Sequence, residues 1–177
     1  MMLARLRRGF TLIELLVAMA IGVILLMLAV PGYVTWMADQ EIHNAAQSVS
    51  GGLQQAMAEA IKRNENVQFV LDKTTNTGGW SVQLASDSSV LQEGAFVEGA
   101  ARVVFTPAPT AKLTTVTFSG VGQIEAKNAD GSDPFDTVDV TSSVSNTRPL
   151  RILVGGGRSG VKICDPKYPG TDPMGCP

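Results

Sequence analysis

The residues that could carry catalysis are few and scattered. His43 is the only histidine in the 177-residue chain, and a serine or cysteine nucleophile of the triad type needs a histidine oriented by a third group. No G-x-S-x-G turn is present, although such a turn exposes the serine of many hydrolases. A lone histidine in a helical stretch is usually solvated or packed, so we expect no enzyme.

A glycine cluster near the C-terminus matches the sequence pattern of a nucleotide-binding motif. Gly155, Gly157 and Gly160 satisfy G-x-G-x-x-G, but that motif works only where a helix follows and its N-terminus binds the pyrophosphate. The next residues, "VKIC", favour a strand and lead into prolines. We expect a glycine-rich turn between two strands and no cofactor.

The stretch "NADGSDPFD" (Asn128–Asp136) has the composition of a calcium loop. In the EF-hand register, however, Ala126 would take position 1 and Thr137 position 12, and neither supplies the carboxylate that those positions need. A surface acidic turn is therefore favoured over a looser calcium site, and no metal site is expected.

The two cysteines, Cys164 and Cys176, both lie in the last 14 residues. Two cysteines in an exported domain usually pair, and a loop of this length would add about 3 kcal/mol of stability in the chain-entropy model. The alternative is a metal site, which would need more ligands.

The charges are unevenly distributed along the chain. The net charge is −2, made up of three arginines before Phe10, −8 between Phe10 and Thr147, and +3 from Arg148 onward. An acidic body with a basic C-terminal section bears on which partners the chain can meet.

The apolar run Phe10–Val30 has the length of a membrane span and carries one charge, Glu14. Twenty-one helical residues extend about 31 Å, close to the hydrocarbon thickness of a bilayer. The arginines before the run predict a cytoplasmic N-terminus and an exported C-terminal domain. The run is longer than the core of a cleaved secretory signal, and no A-x-A site ends it. Glu14 would cost roughly 2.5–3.5 kcal/mol in the bilayer, so we expect it to have a specific partner.

An amphipathic helix follows the apolar run. Its apolar stripe recurs at steps of three or four, as expected for a helix with one buried face; the stripe comprises Ile42, Ala45, Ala46, Val49, Leu53, Met57, Ala60 and Ile61. Pro31 is expected to kink or loosen the junction between the two parts, and Gly51-Gly52 is a second soft point.

The rest of the chain favours short β-strands separated by turns such as "TTNTGG", "ASDSS" and "KNADGSDP". The fold class expected is α+β: a long N-terminal helix, transmembrane in its first half, packs its second half on an antiparallel sheet or sandwich. The predicted strands are Val67–Leu71, Trp80–Leu84, Arg102–Phe105, Leu113–Phe118, Gly122–Glu125, Thr137–Val140, Arg151–Val154 and Val161–Cys164.

The stretch Arg7-Arg8-Gly9-Phe10-Thr11-Leu12-Ile13-Glu14 closely resembles the class III signal of type IV pilins and pseudopilins. The resemblance implies that prepilin peptidase cleaves after Gly9 and that Phe10 is N-methylated. It also implies that Glu14 pairs with the free amine of Phe10 on a neighbouring subunit. The domains would then be a leader (1–9), a transmembrane and filament-core helix (10–32), an amphipathic helix (33–63) and an exported domain (64–177).

The stretch "AAQSVSGGLQQAMAEAIKRNENVQFVL" followed by "GGWSVQL" resembles the GspH/FimT group of minor pilins and pseudopilins. "GVKICDP" with a later "GCP" is more similar to the FimT/FimU branch of type IV pili. The resemblance implies a structural subunit at or near the pilus tip that helps to start assembly. Its partners would be other minor and major pilins, prepilin peptidase and the inner-membrane assembly machinery. The alternative is a minor pseudopilin of a type II secretion system.

Certain FimT-type pilins bind DNA through a C-terminal G-R-x-R element. The corresponding stretch here is Gly157-Arg158-Ser159-Gly160, which lacks the second arginine, although Lys162 follows closely and Arg151 precedes. Phosphate contacts need clustered cations, but the body of the chain is acidic. We therefore favour solvation or contact with a neighbouring subunit over DNA binding for Arg151, Arg158 and Lys162.

Overall fold

The computed structural model describes residues 10–72, 79–95, 102–110, 114–155 and 160–177. Within these ranges the chain forms one helix, α1, and eight strands, β1 to β8. Their bounds are α1 Leu12–Arg63, β1 Val67–Asp72, β2 Gly79–Leu84, β3 Val90–Ala95, β4 Val103–Ala108, β5 Thr115–Phe118, β6 Thr137–Ser142, β7 Leu150–Val154 and β8 Val161–Cys164.

Both ends of α1 are capped by side-chain or backbone groups. Thr11 is extended (φ −82°, ψ 152°) and its Oγ1 accepts the N–H of Glu14 at 3.3 Å, which satisfies one of the free donors of the first turn. At the other end Asn64 adopts a left-handed conformation (φ 53°), and its N–H bonds back to the last turn. Asparagine tolerates this conformation better than most residues, which explains why the helix stops there.

Helix α1 continues through Pro31 without interruption. Proline removes one backbone donor, and the Thr35 hydroxyl donates to the Pro31 carbonyl at 3.2 Å. The junction at Pro31, expected to be kinked or loosened, does not break the helix, which runs from Leu12 to Arg63.

The strands form two antiparallel sheets of four. Their orders are β3-β2-β1-β5 and β4-β6-β7-β8, and the sheets and the second half of α1 enclose one core. The apolar stripe predicted on α1 is buried except at its end: Met57 is partly buried against the core, and Ile61 is 48% exposed.

Trp80 lies between two glycines at the centre of this packing. A Cβ atom on Gly52 of α1 would lie 2.6 Å from the Trp80 ring, and a Cβ on Gly94 of β3 would overlap the same ring. The indole N–H donates to the Ser48 hydroxyl at 3.0 Å, and the ring stacks on Phe69 at 5.9 Å between centroids. Gly52, expected to be a soft point, is instead a position where the helix packs tightly against two aromatic rings of the sheet.

One predicted strand was wrong, and one strand was not predicted. Val90–Ala95 forms β3, an edge strand with mostly exposed residues that shows no apolar alternation. Gly122–Glu125 does not form a strand: Ile124 makes a single bridge to Phe118, and Gly122 adopts φ +80° beside Ile61. Of the remaining predicted strands, Val161–Cys164 has the predicted bounds and the others are present with shifted ends, although residues 111–113 and the turn at 74–78 lie outside the described residues.

Candidate assembly site

Glu14 lies in the first turn of α1 at an exposed position. Its backbone N–H is capped by Thr11, whereas no hydrogen bond or ion pair to its carboxylate occurs within the part of the chain that the structure describes. Phe10, immediately before the cap, is 86% exposed. The carboxylate is therefore available to a group outside this chain, beside the positive end of the helix dipole.

The surroundings of Glu14 are apolar and uncovered. From Leu12 to Met37 the large apolar side chains of α1 are exposed, and none of its most apolar 18-residue window is buried. That window has a mean hydropathy of 2.8, so by length and composition the helix could cross a membrane. Apolar surface of this extent needs either lipid or other apolar helices around it.

Thr11 is a residue that the sequence reasoning missed. Its spacing to Glu14 is the S/T-x-x-E signature of a capping box, and the structure shows the bond from the Glu14 N–H to the Thr11 hydroxyl. The cap lies after Gly9, the predicted cleavage point, so it would remain in the processed chain. Gly9 and the arginines of the predicted leader lie outside the described residues.

The structure brings two of the three candidate contact cations, Arg151 and Lys162, onto one sheet face. Lys162 pairs with Leu153, which lies two residues from Arg151 on β7, so both side chains project from the same side of the sheet. Arg158 lies outside the described residues.

Arg151 and Lys162 each have a partner within the domain. The Arg151 guanidinium donates to both carboxylate oxygens of Asp139 on β6, at 2.6 and 2.9 Å, and this bonding raises the pKa of Arg151 above its already high ordinary value. The Lys162 ammonium donates to the Gly175 carbonyl at 3.4 Å. Both cations therefore stabilise this face of the domain as well as presenting charge on it.

The disulfide between Cys164 and Cys176 is present and closes the C-terminal loop over β8. Asp165, 2% exposed, receives the N–H of Lys167 at 2.8 Å and the guanidinium of Arg148 at 3.4 Å. Its own N–H donates to the Met174 carbonyl at 2.8 Å. The loop is therefore held by a crosslink and by a buried carboxylate with its donors.

The acidic turn is built around Asn128, which is 4% exposed. Its amide accepts from the Thr117 hydroxyl at 2.9 Å and donates to the Ser132 hydroxyl at 3.0 Å. Bonds from the Ser132 hydroxyl and N–H lower the pKa of Asp130. The described residues contain no group of three ligating side chains that could hold a metal ion.

The glycine cluster joins β7 to β8. The N–H of Gly155, at φ +79°, donates to the Gly160 carbonyl at 3.2 Å, and the segment that follows is β8. Residues 156–159 lie outside the described ranges. The interpretation as a turn between two strands is confirmed at both of its ends.

A long helix that extends from a domain of two antiparallel sheets defines a pilin-type fold. Two crystal structures of the type IV minor pilin FimU from Pseudomonas aeruginosa share it. One has a TM-score of 0.52 and 16% identity, covering 77% of this chain and 96% of that one. The other has a TM-score of 0.51 and 12% identity, covering 76% and 98%.

The chain belongs to the GspH family. The family model described as type II transport protein GspH matches residues 45–157, and the prokaryotic N-terminal methylation motif matches residues 4–30. No curated protein matches the chain. The protein is thus a minor pilin or pseudopilin, a class of structural subunits that interact with other pilins. Its apolar helix and methylation motif fit inner-membrane anchoring before incorporation into a filament.

Proposed function

We propose that this protein is a minor pilin of a type IV pilus that helps to start assembly at or near the tip. The observation that carries the proposal is the Glu14 carboxylate, which has no partner among the described residues and lies at the capped start of an uncovered apolar helix. A subunit that acts alone gains nothing from this arrangement, since an isolated acid in an apolar environment is costly. The protein has no catalytic role in this proposal.

In the proposed mechanism, prepilin peptidase removes residues 1–9 and the new N-terminus at Phe10 is methylated. The N-terminus faces the cytoplasm and the domain faces the periplasm until the subunit leaves the bilayer. Residues 10–32 then pack into the filament core, where the Glu14 carboxylate of one subunit pairs with the Phe10 amine of another. In a low-dielectric bundle, paired charges are far less costly than either charge alone, so the pair fixes the axial register.

A minor pseudopilin of a type II secretion system is the second candidate. Membership of the GspH family, whose model describes a type II transport protein, favours it. The two systems are distinguished by expressing this chain in a strain that lacks the gene. Restored twitching motility indicates a pilus, and restored secretion indicates a secretion system. The genes that flank it would give the same answer.

The charge pair is tested by replacing Glu14 with glutamine, which keeps the shape and the helix cap but removes the charge. Cleavage of the leader, read from the mass of the membrane-bound subunit, should be unchanged. Recovery of the subunit in sheared filaments should fall at least about tenfold, the change that a loss of about 1.4 kcal/mol produces.

The matched control is Glu59→Gln, at the other end of the same helix, where the carboxylate is bonded to Lys62 and Arg63. This variant should be recovered in filaments at the normal level. Normal recovery of Glu14→Gln would contradict the proposed role of the charge pair.

For the three cations singled out in the sequence, Arg151, Arg158 and Lys162, we propose contact with a neighbouring subunit, and DNA capture is the competing proposal. The internal bonds of Arg151 and Lys162 favour the first, because bonded cations have fewer donors left for phosphates. A fragment from Tyr33 onward keeps every buried residue of α1, the first of which is Ala38.

Gel shift of that fragment on duplex DNA at low salt tests the competing proposal. A shift that the double variant Arg158→Ala, Lys162→Ala abolishes, while Lys62→Ala leaves it unchanged, would establish DNA capture. No shift, or one insensitive to the double variant, would eliminate it.

A further inference from the structure

The segment of α1 just beyond the apolar run exposes two aromatic side chains. Tyr33 is 60% exposed and Trp36 is 57% exposed, and their rings lie 5.9 Å apart between centroids. Residues three apart lie on the same helix face. The pair therefore forms one exposed aromatic surface that the domain does not cover.

The depth of this pair along the helix matches the edge of a bilayer. At 1.5 Å per residue, Tyr33 lies about 32 Å and Trp36 about 36 Å from Leu12. The hydrocarbon core is about 30 Å thick and the headgroup regions extend the bilayer to about 40–45 Å. Tyrosine and tryptophan are enriched at this level, where the ring lies in an apolar layer and its polar atom meets water.

The domain begins one helical turn further on. Asp39, the first charged residue after Glu14, accepts the backbone N–H of Arg148 at 2.8 Å. Since Asp39 follows Ala38, the first buried residue of α1, the segment around Arg148 lies close to the end of the apolar run.

That end of the domain presents cations and a third aromatic ring. The Arg148 guanidinium, 56% exposed, lies 5.8 Å from the centre of the Tyr168 ring. Lys167 is exposed and donates to the carbonyl of Thr147, next to Arg148. The buried Asp165 carboxylate, which accepts the Arg148 guanidinium, and the half-buried Asp39 together offset both positive charges. The aromatic rings therefore provide most of the attraction to an interface.

We propose that these residues form a membrane-proximal patch, comprising Tyr33, Trp36, Arg148, Lys167 and Tyr168, that lies among phospholipid headgroups before assembly. This proposal rests on the membrane anchoring in the proposed function. It adds that the patch sets the height of the domain above the bilayer and its tilt relative to the bilayer. The aromatic rings lie at the boundary between acyl chains and headgroups, and the cations face the lipid phosphates.

Tryptophan fluorescence of the full chain in liposomes tests the helix side of the patch. Lipids brominated near the glycerol backbone should quench the emission more than lipids brominated near the chain ends. In Trp36→Phe this quenching should be lost, because the remaining tryptophan, Trp80, is 8% exposed within the core and serves as the internal control.

The loop side of the patch is tested in nanodiscs that contain a lipid with a spin-labelled headgroup. The amide NMR signals of Arg148, Lys167 and Tyr168 should be lost through relaxation by the label. Those of Asn64 and Gly120, which adjoin each other at the opposite end of α1, should persist.

Flotation with the liposomes separates this proposal from the anchoring. A chain that does not float would overturn both the anchoring and the patch. A chain that floats, but whose Trp36 is quenched by neither lipid or more strongly by the deep one, would overturn the patch alone. Persistence of the Arg148 and Lys167 signals would equally overturn it, and a neighbouring subunit would then be the partner of this surface.

Discussion

The two halves of α1 have the same secondary structure and opposite environments. From Leu12 to Met37 its large apolar side chains are exposed, whereas from Ala38 to Ala60 one face is buried against both sheets. The first half is apolar on all sides, and the second half is apolar on one side only. A helix that is apolar on all sides requires partners on all sides, so the surface of the first half needs lipid or other subunits to cover it.

The glycines show the same contrast at atomic scale. A Cβ on Gly22 or Gly32 in the first half would meet nothing within 4 Å, while a Cβ on Gly52 would collide with two aromatic rings. The folding of the domain thus depends on the second half, and the first half is free to serve assembly.

The largest expected effect comes from truncating matched leucines in the two halves. Leu53 is fully buried and Leu25 is 61% exposed. Leu53→Ala should lower the free energy of unfolding of the domain by about 2–5 kcal/mol, because it leaves a cavity in the core. Leu25→Ala should leave it unchanged in urea unfolding of the detergent-solubilised chain. Equal losses in the two variants would break the distinction between the halves.

Removing the disulfide tests how far the domain depends on its C-terminal loop. The double variant Cys164→Ala, Cys176→Ala opens a loop with a sequence separation of 12, and we expect it to cost about 3 kcal/mol. Thermal unfolding with and without reductant measures this cost. A wild-type protein whose midpoint does not change on reduction would show that the buried Asp165 contacts are sufficient.

Two adjacent glycines in the second half give a sharper test. Gly52→Ala should destabilise the domain by about 1–3 kcal/mol, because the added methyl group overpacks against Trp80 and Phe69. Gly51→Ala, where a Cβ meets nothing within 4 Å, should instead stabilise the helix by up to about 1 kcal/mol. Opposite shifts of the urea midpoint support the packing described here, and shifts of the same sign would argue against it.

The smallest effect concerns the last turn of α1 at low pH. Hydrogen bonds from Arg63 and Lys62 lower the pKa of Glu59 below its ordinary value. The stability they add is therefore present above the ordinary pKa, about 4.3, and is lost as the pH falls through the lowered value. As the pH falls through the lowered pKa, amide hydrogen exchange at Ala60 to Arg63 should become faster than the intrinsic pH dependence of exchange predicts. The same acid-induced fraying in Glu59→Gln would contradict this explanation.

The helix and most strands were predictable because their periodicity is strong. The stripe from Ile42 to Ala60 and the alternation in β6 and β7 reflect burial directly. Edge strand β3 was missed because its residues are mostly exposed, so no apolar pattern marks it. Gly122–Glu125 alternates but lies in a turn at a positive φ, which only the tertiary contact with Ile61 reveals.

The features of the candidate sites also differ in whether the sequence could predict them. A local motif singled out Glu14, whose pairing stays a prediction, and the spacing of Thr11 to Glu14 contained the signal for the cap that the structure shows. The Asp139–Arg151 pair, the Lys162–Gly175 bond and the Asp39–Arg148 contact join residues distant in sequence. Sequence patterns do not determine such contacts, because they depend on strand register and on how the loop folds over β8.

The continuity of α1 has a mechanical consequence. The helix runs unbroken from Leu12 to Arg63, and its packing against the sheets begins at Ala38, so no flexible linker separates the apolar run from the domain. Any axial force on the first half is transmitted directly to the domain, which must rise and rotate with the helix. A motor that draws this subunit out of the bilayer would therefore move the domain by the same axial distance as the helix.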